Sequence, residues 1–192
     1  MYDYMLKCKM LIYNGLKEKM MKDPRRCQWA SDNLLIQYHD DEYGKIITND
    51  NKLFEKLSLE VFQAGLSWRT ILAKREYFRE VFHNFEIETV ANLTDQYLES
   101  LLFDSRIVRN RKKIFAARQN ARAVQDIISK EQSFFKFVYS FQNAEKLCCV
   151  LRNSGFTFIG TTIAESFMQS IGILQAHEPG CFLHRQMTSS EV

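Results

Sequence analysis

Glu60 has the position in the sequence that most needs a chemical explanation. It lies in the stretch SLEVFQAGLSW, near an apolar helical face with a spacing of about 100° per residue: Leu53, Phe54, Leu57, Val61 and Ala64. Glu60 falls within the same arc. A carboxylate there must be paired, protonated, bound to a ligand or placed at the rim. The simplest alternative to a ligand is an ion pair with Lys56, worth only about 0.2–0.5 kcal/mol in this order of charges.

A second set of candidate residues carries thiol and imidazole groups. Cys27 and His39 lie at the first predicted core helix, and His177 and Cys181 lie in HEPGC near the end of the chain. Four such ligands suit a closed, structural zinc site, which has no open position for a catalytic water and so disfavours a zinc hydrolase. The two pairs lie far apart, unlike zinc-finger ligands. A buried thiol, a capping histidine and an exposed tail therefore remain the alternative.

Cations crowd the predicted start of a long helix in the stretch LLFDSRIVRNRKKIFAARQNAR: Arg106, Arg109, Arg111, Lys112 and Lys113. Positive charges repel one another at a helix N-terminus, and the helix dipole opposes them there. A bound anion would remove that conflict, and a phosphodiester backbone is such an anion. The alternative is a solvated basic face.

The composition favours an intracellular helical protein. The 192 residues suit one domain or two small lobes, and 7 Gly with 2 Pro favour helices over turn-rich β structure. The net charge of +3 is too small to indicate a polyanionic partner by itself. Five cysteines, an odd number, without a secretory signal predict a reducing compartment and a cytoplasmic location. No apolar run reaches membrane-spanning length, so no membrane partner is expected.

The pattern of apolar residues and caps predicts an all-α fold. Helices are expected to begin at side-chain caps: Ser31 or Asp32, Asn49 or Asp50, Ser67, and Thr94. The long helix is predicted from about Ile107 to Ser129, and two shorter ones over Phe134–Phe141 and Ala144–Asn153. A capping box, Thr162–Glu165, is expected to open the last helix.

Five stretches in one order resemble the DNA-3-methyladenine glycosylase I family: CQWASDNLLIQYHDDEYG, LFEKLSLEVFQAGLSW, IVRNRKKIFAARQNAR, GFTFIGTTIAESFMQSIG and HEPGC. The resemblance implies a monomeric, all-α enzyme of the helix-hairpin-helix glycosylase superfamily. Such an enzyme flips 3-methyladenine out of alkylated double-stranded DNA and hydrolyses its N-glycosidic bond, which releases the free base and leaves an abasic site. It also implies a bacterial, nucleoid-associated protein with an extension (1–26), a glycosylase domain (27–185) and a tail (186–192).

The resemblance gives roles to the residues of a base pocket. Glu60 would accept hydrogen bonds from the flipped base, and the Tyr38 hydroxyl would reach it, so these two are the expected catalytic residues. Trp68 would stack on the base and Trp29 would form a second aromatic wall. The positive charge of 3-methyladenine in DNA suits an indole face. Ordinary core packing remains the alternative for Trp68.

Outside the pocket, the resemblance implies a DNA surface and a metal centre. The turn that enters the DNA and fills the gap left by the flipped base would contain Gln63, Gly65 and Leu66. The backbone contacts would come from the basic helix start: Arg109, Arg111, Lys112 and Lys113. The ligands of a structural zinc ion would be Cys27, His39, His177 and Cys181.

The sequence also departs from the family pattern. Leu35 stands in place of a pocket tyrosine, Tyr43 in place of a tryptophan, and Arg106 in place of the hairpin glycine. The link between Phe141 and Phe156 is short. These differences leave open a second hypothesis, a catalytically weak or inactive module of the same fold that binds damaged DNA.

Overall fold

The computed structural model describes residues 24–184, and every regular element in that range is helical. The all-α prediction is therefore confirmed for this range. Most of the proposed extension (1–26) and the whole tail (186–192) lie outside the described residues. Across residues 24–184, every helix is too short or too polar to span a bilayer.

Nine α-helices and two short 3-10 helices make up the described part of the chain. They are α1 (Asn33–Asp41), α2 (Asp50–Gln63), α3 (Trp68–Val81), η1 (His83–Phe85), α4 (Ile87–Ala91), α5 (Asp95–Ser100), η2 (Leu101–Phe103), α6 (Arg111–Glu131), α7 (Phe134–Tyr139), α8 (Ala144–Asn153) and α9 (Thr161–Ser170).

Four helix starts have the side-chain caps that the sequence predicts. Asp32, Asn49, Ser67 and Thr94 each accept a hydrogen bond from a backbone N–H in the first turn of α1, α2, α3 and α5 respectively. The start of the long helix was predicted wrongly. It begins at Arg111, four residues later than expected, because Asn110 provides the cap by accepting from the backbone N–H of Lys113.

The start of α9 was also predicted wrongly. The capping box is not formed, because α9 begins at Thr161 after an extended Gly160 and makes no side-chain cap bond. The sequence pattern does not indicate η1 or α4. Neither has a side-chain cap, and η1 contains left-handed backbone at Asn84, so the usual start signals are absent there.

Helix α2 is the central helix of the fold. Its ten residues from Leu53 to Phe62 are all buried, because α2 packs against α3, η1, α6, α7 and α9. A helix that neighbours cover on all sides cannot keep a polar face in water. Glu60 is therefore buried by the whole surroundings of α2, and the single apolar stripe expected from the sequence underestimates this burial.

A close backbone approach joins the end of α1 to the end of α9. The N–H of Gly44 donates to the Ser170 carbonyl oxygen at 3.0 Å. Gly172 has φ +77°, and a Cβ there would lie 2.5 Å from the Gly44 carbonyl oxygen. Only glycine fits this combination of positive φ and close contact. The junction brings the segment that contains His177 against α1.

Candidate functional site

The four predicted metal ligands come together in one buried cluster. The ligand atoms of Cys27, His39, His177 and Cys181 all lie within 4.8 Å of one another. The closest separations between sulfur and nitrogen, or between the two imidazole nitrogens, run from 3.1 to 3.7 Å. A tetrahedral ion with bonds of about 2.0–2.3 Å needs ligand atoms about 3.3–3.8 Å apart. The geometry therefore fits a four-coordinate metal ion.

The groups behind the ligands orient them toward the centre of the cluster. His39 Nδ1 lies 2.7 Å from Asp40 Oδ1, and Asp40 also accepts from Arg26 at 2.8 Å. His177 Nε2 lies 3.2 Å from the Tyr43 carbonyl oxygen. These contacts leave His39 Nε2 and His177 Nδ1 for a metal ion. Burial raises the pKa of the Cys27 thiol to about 11, so a thiolate there requires a compensating cation.

A cavity of about 350 Å³ lies on the other side of α1. It is at the small end of the range for ligand sites, which suits a single base. Four of its lining residues are the pocket residues that the sequence analysis proposes. The full lining is Trp29, Leu35, Tyr38, Tyr43, Glu60, Gln63, Ser67, Trp68, Arg69, Ser166 and Gln169.

Aromatic rings form the walls of this cavity. The Tyr38 ring lies 5.2 Å from the Trp68 ring and 6.1 Å from the Trp29 ring, between centroids. Tyr43 packs edge-on against Trp29 at 5.0 Å. Tyr43 thus occupies the wall position that the sequence analysis noted as a departure. The four rings present both π faces and ring edges to a planar ligand.

Glu60 is the buried acid of the cavity, with 5% of its surface exposed. Burial raises the pKa of Glu60 to about 7, while the Lys56 charge and the nearby Ser170 hydroxyl lower it. The carboxyl group is therefore close to half-ionised at neutral pH. A ligand that donates hydrogen bonds or carries positive charge stabilises the ionised form of such a group.

The ion pair between Lys56 and Glu60, the alternative raised from the sequence, is not formed. The Lys56 ammonium instead donates to Tyr38 Oη at 3.1 Å. It also lies 4.4 Å from the centroid of the Tyr38 ring. Lys56 thus contacts a wall of the cavity, and only its longer-range charge acts on Glu60.

Helix α9 supplies cavity residues that the sequence analysis missed. Ser166 and Gln169 line the cavity, and the Ser170 hydroxyl, which donates to the Phe167 carbonyl oxygen at 2.8 Å, is close enough to Glu60 to lower its pKa. The spacing of Ser166 and Gln169, three residues apart on one helix face, is a signal that could have indicated them. Their place beside Glu60 depends on the packing of α9 against α2.

The turn between α2 and α3 forms an exposed rim beside the cavity. Gln63 and Ser67 line the cavity, and Gly65 and Leu66 lie between them. Gly65 has φ +86°, and the Leu66 side chain is 42% exposed although it is apolar. The turn therefore presents an exposed apolar side chain next to the cavity residues Gln63 and Ser67.

The helix-hairpin-helix region comprises α5, η2 and the start of α6, and its cations have different surroundings. Arg109 and Lys112 are exposed, and Arg111 pairs with Glu99. Lys113 is buried, and its Nζ donates to the carbonyl oxygens of Phe62 at 3.1 Å and Ala64 at 2.6 Å. Lys113 therefore holds the end of α2, directly before the exposed turn.

Arg106 stands where the family pattern predicts a hairpin glycine. Its φ is not positive, so the hairpin does not need a left-handed residue at this position. Its backbone N–H donates to Asp104 Oδ1 at 2.9 Å, and its guanidinium pairs with Asp104 and Glu80. Lys74 donates to the carbonyl oxygens of Ser105 and Arg106. Side chains thus shape this hairpin, and the charge of Arg106 is neutralised within the protein.

Comparisons with known proteins agree with this geometry. A family model described as methyladenine glycosylase matches residues 28–184. DNA-3-methyladenine glycosylase 1 of Escherichia coli (strain K12) is 41% identical over 177 residues, covering 81% of this chain and 95% of the relative. DNA-3-methyladenine glycosylase of Haemophilus influenzae (strain ATCC 51907 / DSM 11121 / KW20 / Rd) is 36% identical over 177 residues, covering 81% and 96%.

A solved structure gives the same result for the fold. It is a tyrosine-to-phenylalanine variant of 3-methyladenine DNA glycosylase I in complex with 3-methyladenine. The two chains superpose with a TM-score of 0.80 at 31% identity, covering 84% of this chain and 98% of that one. The family resemblance proposed from the sequence is thereby confirmed, and the chain belongs to the methyladenine glycosylase family.

Proposed function

We propose that this protein is a DNA-3-methyladenine glycosylase that removes 3-methyladenine from alkylated double-stranded DNA. The observation that carries the proposal is the buried carboxyl group of Glu60 in a base-sized cavity with aromatic walls. A base held in such a cavity must be flipped out of the duplex. The named activities of the two curated relatives support the same substrate.

The roles of the cavity residues follow from the chemistry of the damaged base. In DNA, 3-methyladenine is a cation, which suits the indole faces of Trp68 and Trp29. The Glu60 carboxylate accepts from the exocyclic amino group, which selects adenine over guanine because guanine has a carbonyl at that position. The Tyr38 hydroxyl supplies a second polar contact. These roles require that Glu60 lose its proton when the base binds.

The positive charge of the base also explains why the cavity needs no strong general acid. When the N-glycosidic bond breaks, its electron pair passes to the base, which becomes neutral. The sugar carbon gains the oxygen of a water molecule, and that water loses a proton to the solvent. The protein then contributes recognition, extrusion and the exclusion of bulk water from the cavity.

The DNA surface of the proposal combines the exposed turn with the basic helix start. Gln63, Gly65 and Leu66 fill the space that the flipped base leaves. Phosphate contacts come from Arg109, Arg111 and Lys112. The sequence also predicts phosphate contacts for Lys113, but its hydrogen bonds to Phe62 and Ala64 favour a positioning role in the same surface.

We further propose that the metal ion is zinc. Two thiolates and two imidazoles are a donor set that zinc prefers, and four protein ligands make the site structural. Bound zinc supplies a cross-link between the two ends of the described chain and takes no part in the hydrolysis. The proposal includes a monomeric protein in the bacterial cytoplasm, where chromosomal DNA lies.

A base-release assay on methylated duplex DNA tests the function. We expect the zinc-loaded protein to release free 3-methyladenine, and Glu60→Gln to lose most of that activity. The matched control is Glu165→Gln, which removes an exposed carboxylate from α9 and should keep full activity. Tight binding to DNA with an abasic analogue, without any base release, would favour the damaged-DNA-binding module instead.

A further inference from the structure

Lys56 is a buried cation that the proposed chemistry does not use. Only 3% of its surface is exposed, although it is a lysine on the central helix one turn before Glu60. Its Nζ lies 3.1 Å from Tyr38 Oη, 4.4 Å from the centroid of the Tyr38 ring and 5.8 Å from that of Trp68. The ammonium group therefore sits behind two walls of the base cavity.

The other charges around Lys56 are largely matched with one another. Arg75 pairs with Glu42 and with Glu55, each at 2.7 Å. Glu60 acts on Lys56 only at longer range. Among the described residues, the direct contacts of the Lys56 ammonium are thus the aromatic wall residues and not a carboxylate. Lys56 also lines a separate polar pocket with Tyr38, Glu42 and Glu55, so its charge acts on the base cavity through the Tyr38 and Trp68 rings that the two pockets share or adjoin.

We propose that Lys56 determines the charge preference of the base cavity by favouring a neutral purine over a cationic one. This inference rests on the proposed function, because it assumes that the cavity binds a purine. The Tyr38 and Trp68 rings attract a positive base through their π electrons. The Lys56 ammonium lies close to the same rings in a low-dielectric interior, and its positive charge repels a cationic base.

The preference has a consequence for the hydrolysis. The base is cationic before the N-glycosidic bond breaks and becomes neutral as the electron pair passes to it, while positive charge moves to the sugar. A group that disfavours a cationic base more than a neutral one stabilises the transition state relative to the bound substrate. Lys56 therefore weakens substrate binding and assists departure of the base.

The direct test compares two ligands that differ in charge. Neutral 3-methyladenine and cationic 3,9-dimethyladenine are titrated at pH 7.5 into the wild-type protein and into Lys56→Met. We expect the ratio of cation affinity to neutral affinity to rise about tenfold in Lys56→Met. The matched control is Lys52→Met, which removes an exposed lysine from the same helix and should leave the ratio within about twofold.

The pH dependence of the same ratio separates charge from shape. Burial lowers the pKa of Lys56 to about 8, so the wild-type ratio should rise between pH 7.5 and 9.5 as the ammonium loses its proton. The ratio in Lys56→Met should rise less, and the rise that remains reports Glu60, because the Lys56 charge lowers the pKa of Glu60 and its loss moves that titration toward this range. Tyr38 and Tyr43 stay protonated in this range, because burial raises the pKa of both hydroxyls. The other charged groups that act on the Lys56 ammonium are Arg75, Glu42, Glu55 and Glu60.

The outcomes distinguish this inference from the proposed function. If the wild-type protein binds neither ligand, the proposed function is contradicted. If it binds both and the ratio is the same in Lys56→Met, the charge preference is wrong while the proposed function stands. Lys56→Gln keeps a polar side chain beside Tyr38 without the charge, and it gives the same comparison if Lys56→Met does not fold.

Discussion

The metal cluster and the base cavity share α1 but differ in how they accommodate buried polar groups. Tyr38 and His39 are consecutive, yet Tyr38 faces the cavity and His39 faces the cluster. In the cluster, His39 is backed by Asp40 and Arg26. In the cavity, Glu60 is buried without a direct cationic partner among the described residues.

This difference separates groups that stabilise the fold from groups that serve a ligand. Oriented partners, together with the proposed zinc ion, would compensate for burying the polar ligands of the cluster. Burial of the Glu60 carboxylate is not compensated in that way, and it raises the pKa of the group. Changes in the cluster should therefore lower stability and spare the cavity. Changes at Glu60 should weaken ligand binding in the cavity and should raise the stability of the fold.

Loss of the metal should produce the largest effect on stability. Cys181→Ser removes one ligand of the cross-link between the C-terminal segment and α1. We expect a loss of roughly 2–5 kcal/mol, the order found for losing a cross-link in a small domain, and a Tm lower by about 4–20 °C. Thermal unfolding of the zinc-loaded proteins measures this effect.

The control for the cluster is the exposed thiol of Cys149, so Cys149→Ser should leave the Tm within about 1–2 °C of the wild type. Free 3-methyladenine binding per folded molecule should be nearly unchanged in Cys181→Ser. Stoichiometric zinc in a Cys27→Ser/Cys181→Ser double variant would show that the ligand assignment is wrong.

Glu60→Gln should have the largest effect on base binding. The change removes a charge-assisted acceptor from a dry cavity, so affinity for free 3-methyladenine should fall by about 1.5–3 kcal/mol, or roughly ten- to a hundredfold. Glu60→Ala should lose more, because Gln keeps a carbonyl acceptor. Titration followed by Trp68 fluorescence measures the affinities, and unchanged binding in Glu60→Ala would make Glu60 a structural residue.

The pH dependence of the Glu60 effects has opposite signs for binding and stability. Burial raises the pKa of Glu60 to about 7, above its ordinary value of 4.5. The folded protein therefore binds more protons than the unfolded chain between these values, and stability falls as pH rises through this window. Glu60→Gln should be more stable than wild type at pH 8, by roughly 3 kcal/mol at most. Wild-type base affinity should rise from pH 6 to pH 8.

The helix framework could be predicted from local signals. Asp32, Asn49, Ser67 and Thr94 are side-chain caps whose effect is confined to one turn, so the sequence indicates them directly. At α6 and α9 the sequence offers more than one possible start. The helices begin after Asn110 and after Gly160, and not at Ile107 or Thr162. Local pattern does not show which of two adjacent starts the tertiary packing favours.

The cavity could be predicted only in part. Glu60 stands out because a carboxylate among apolar residues is unusual. Lys56 lies on the same buried helix, but a long lysine side chain can reach many surroundings, and only the packing of Tyr38 against α2 fixes its contacts. The same reasoning applies to Lys113, which the sequence groups with exposed cations.

Lys112 and Lys113 provide a comparison between adjacent residues of equal charge. Lys112 is exposed, whereas Lys113 holds the carbonyl oxygens of Phe62 and Ala64 before the Gly65–Leu66 turn. Lys113→Met should slow single-turnover excision from duplex DNA about tenfold, because the turn that replaces the flipped base loses its support. Free-base binding should stay within about twofold, since Lys113 does not line the cavity.

The salt dependence of DNA binding decides between the two roles. Lys112→Met should lower the slope of log affinity against log salt by about 0.9, the value for one lost phosphate contact, with little change in excision at saturating enzyme. Lys113→Met should leave that slope unchanged, because its ammonium is occupied by backbone carbonyls and releases no counterion. An equal loss of slope in both variants would mean that Lys113 leaves its buried position to bind phosphate, and the turn would then need another support.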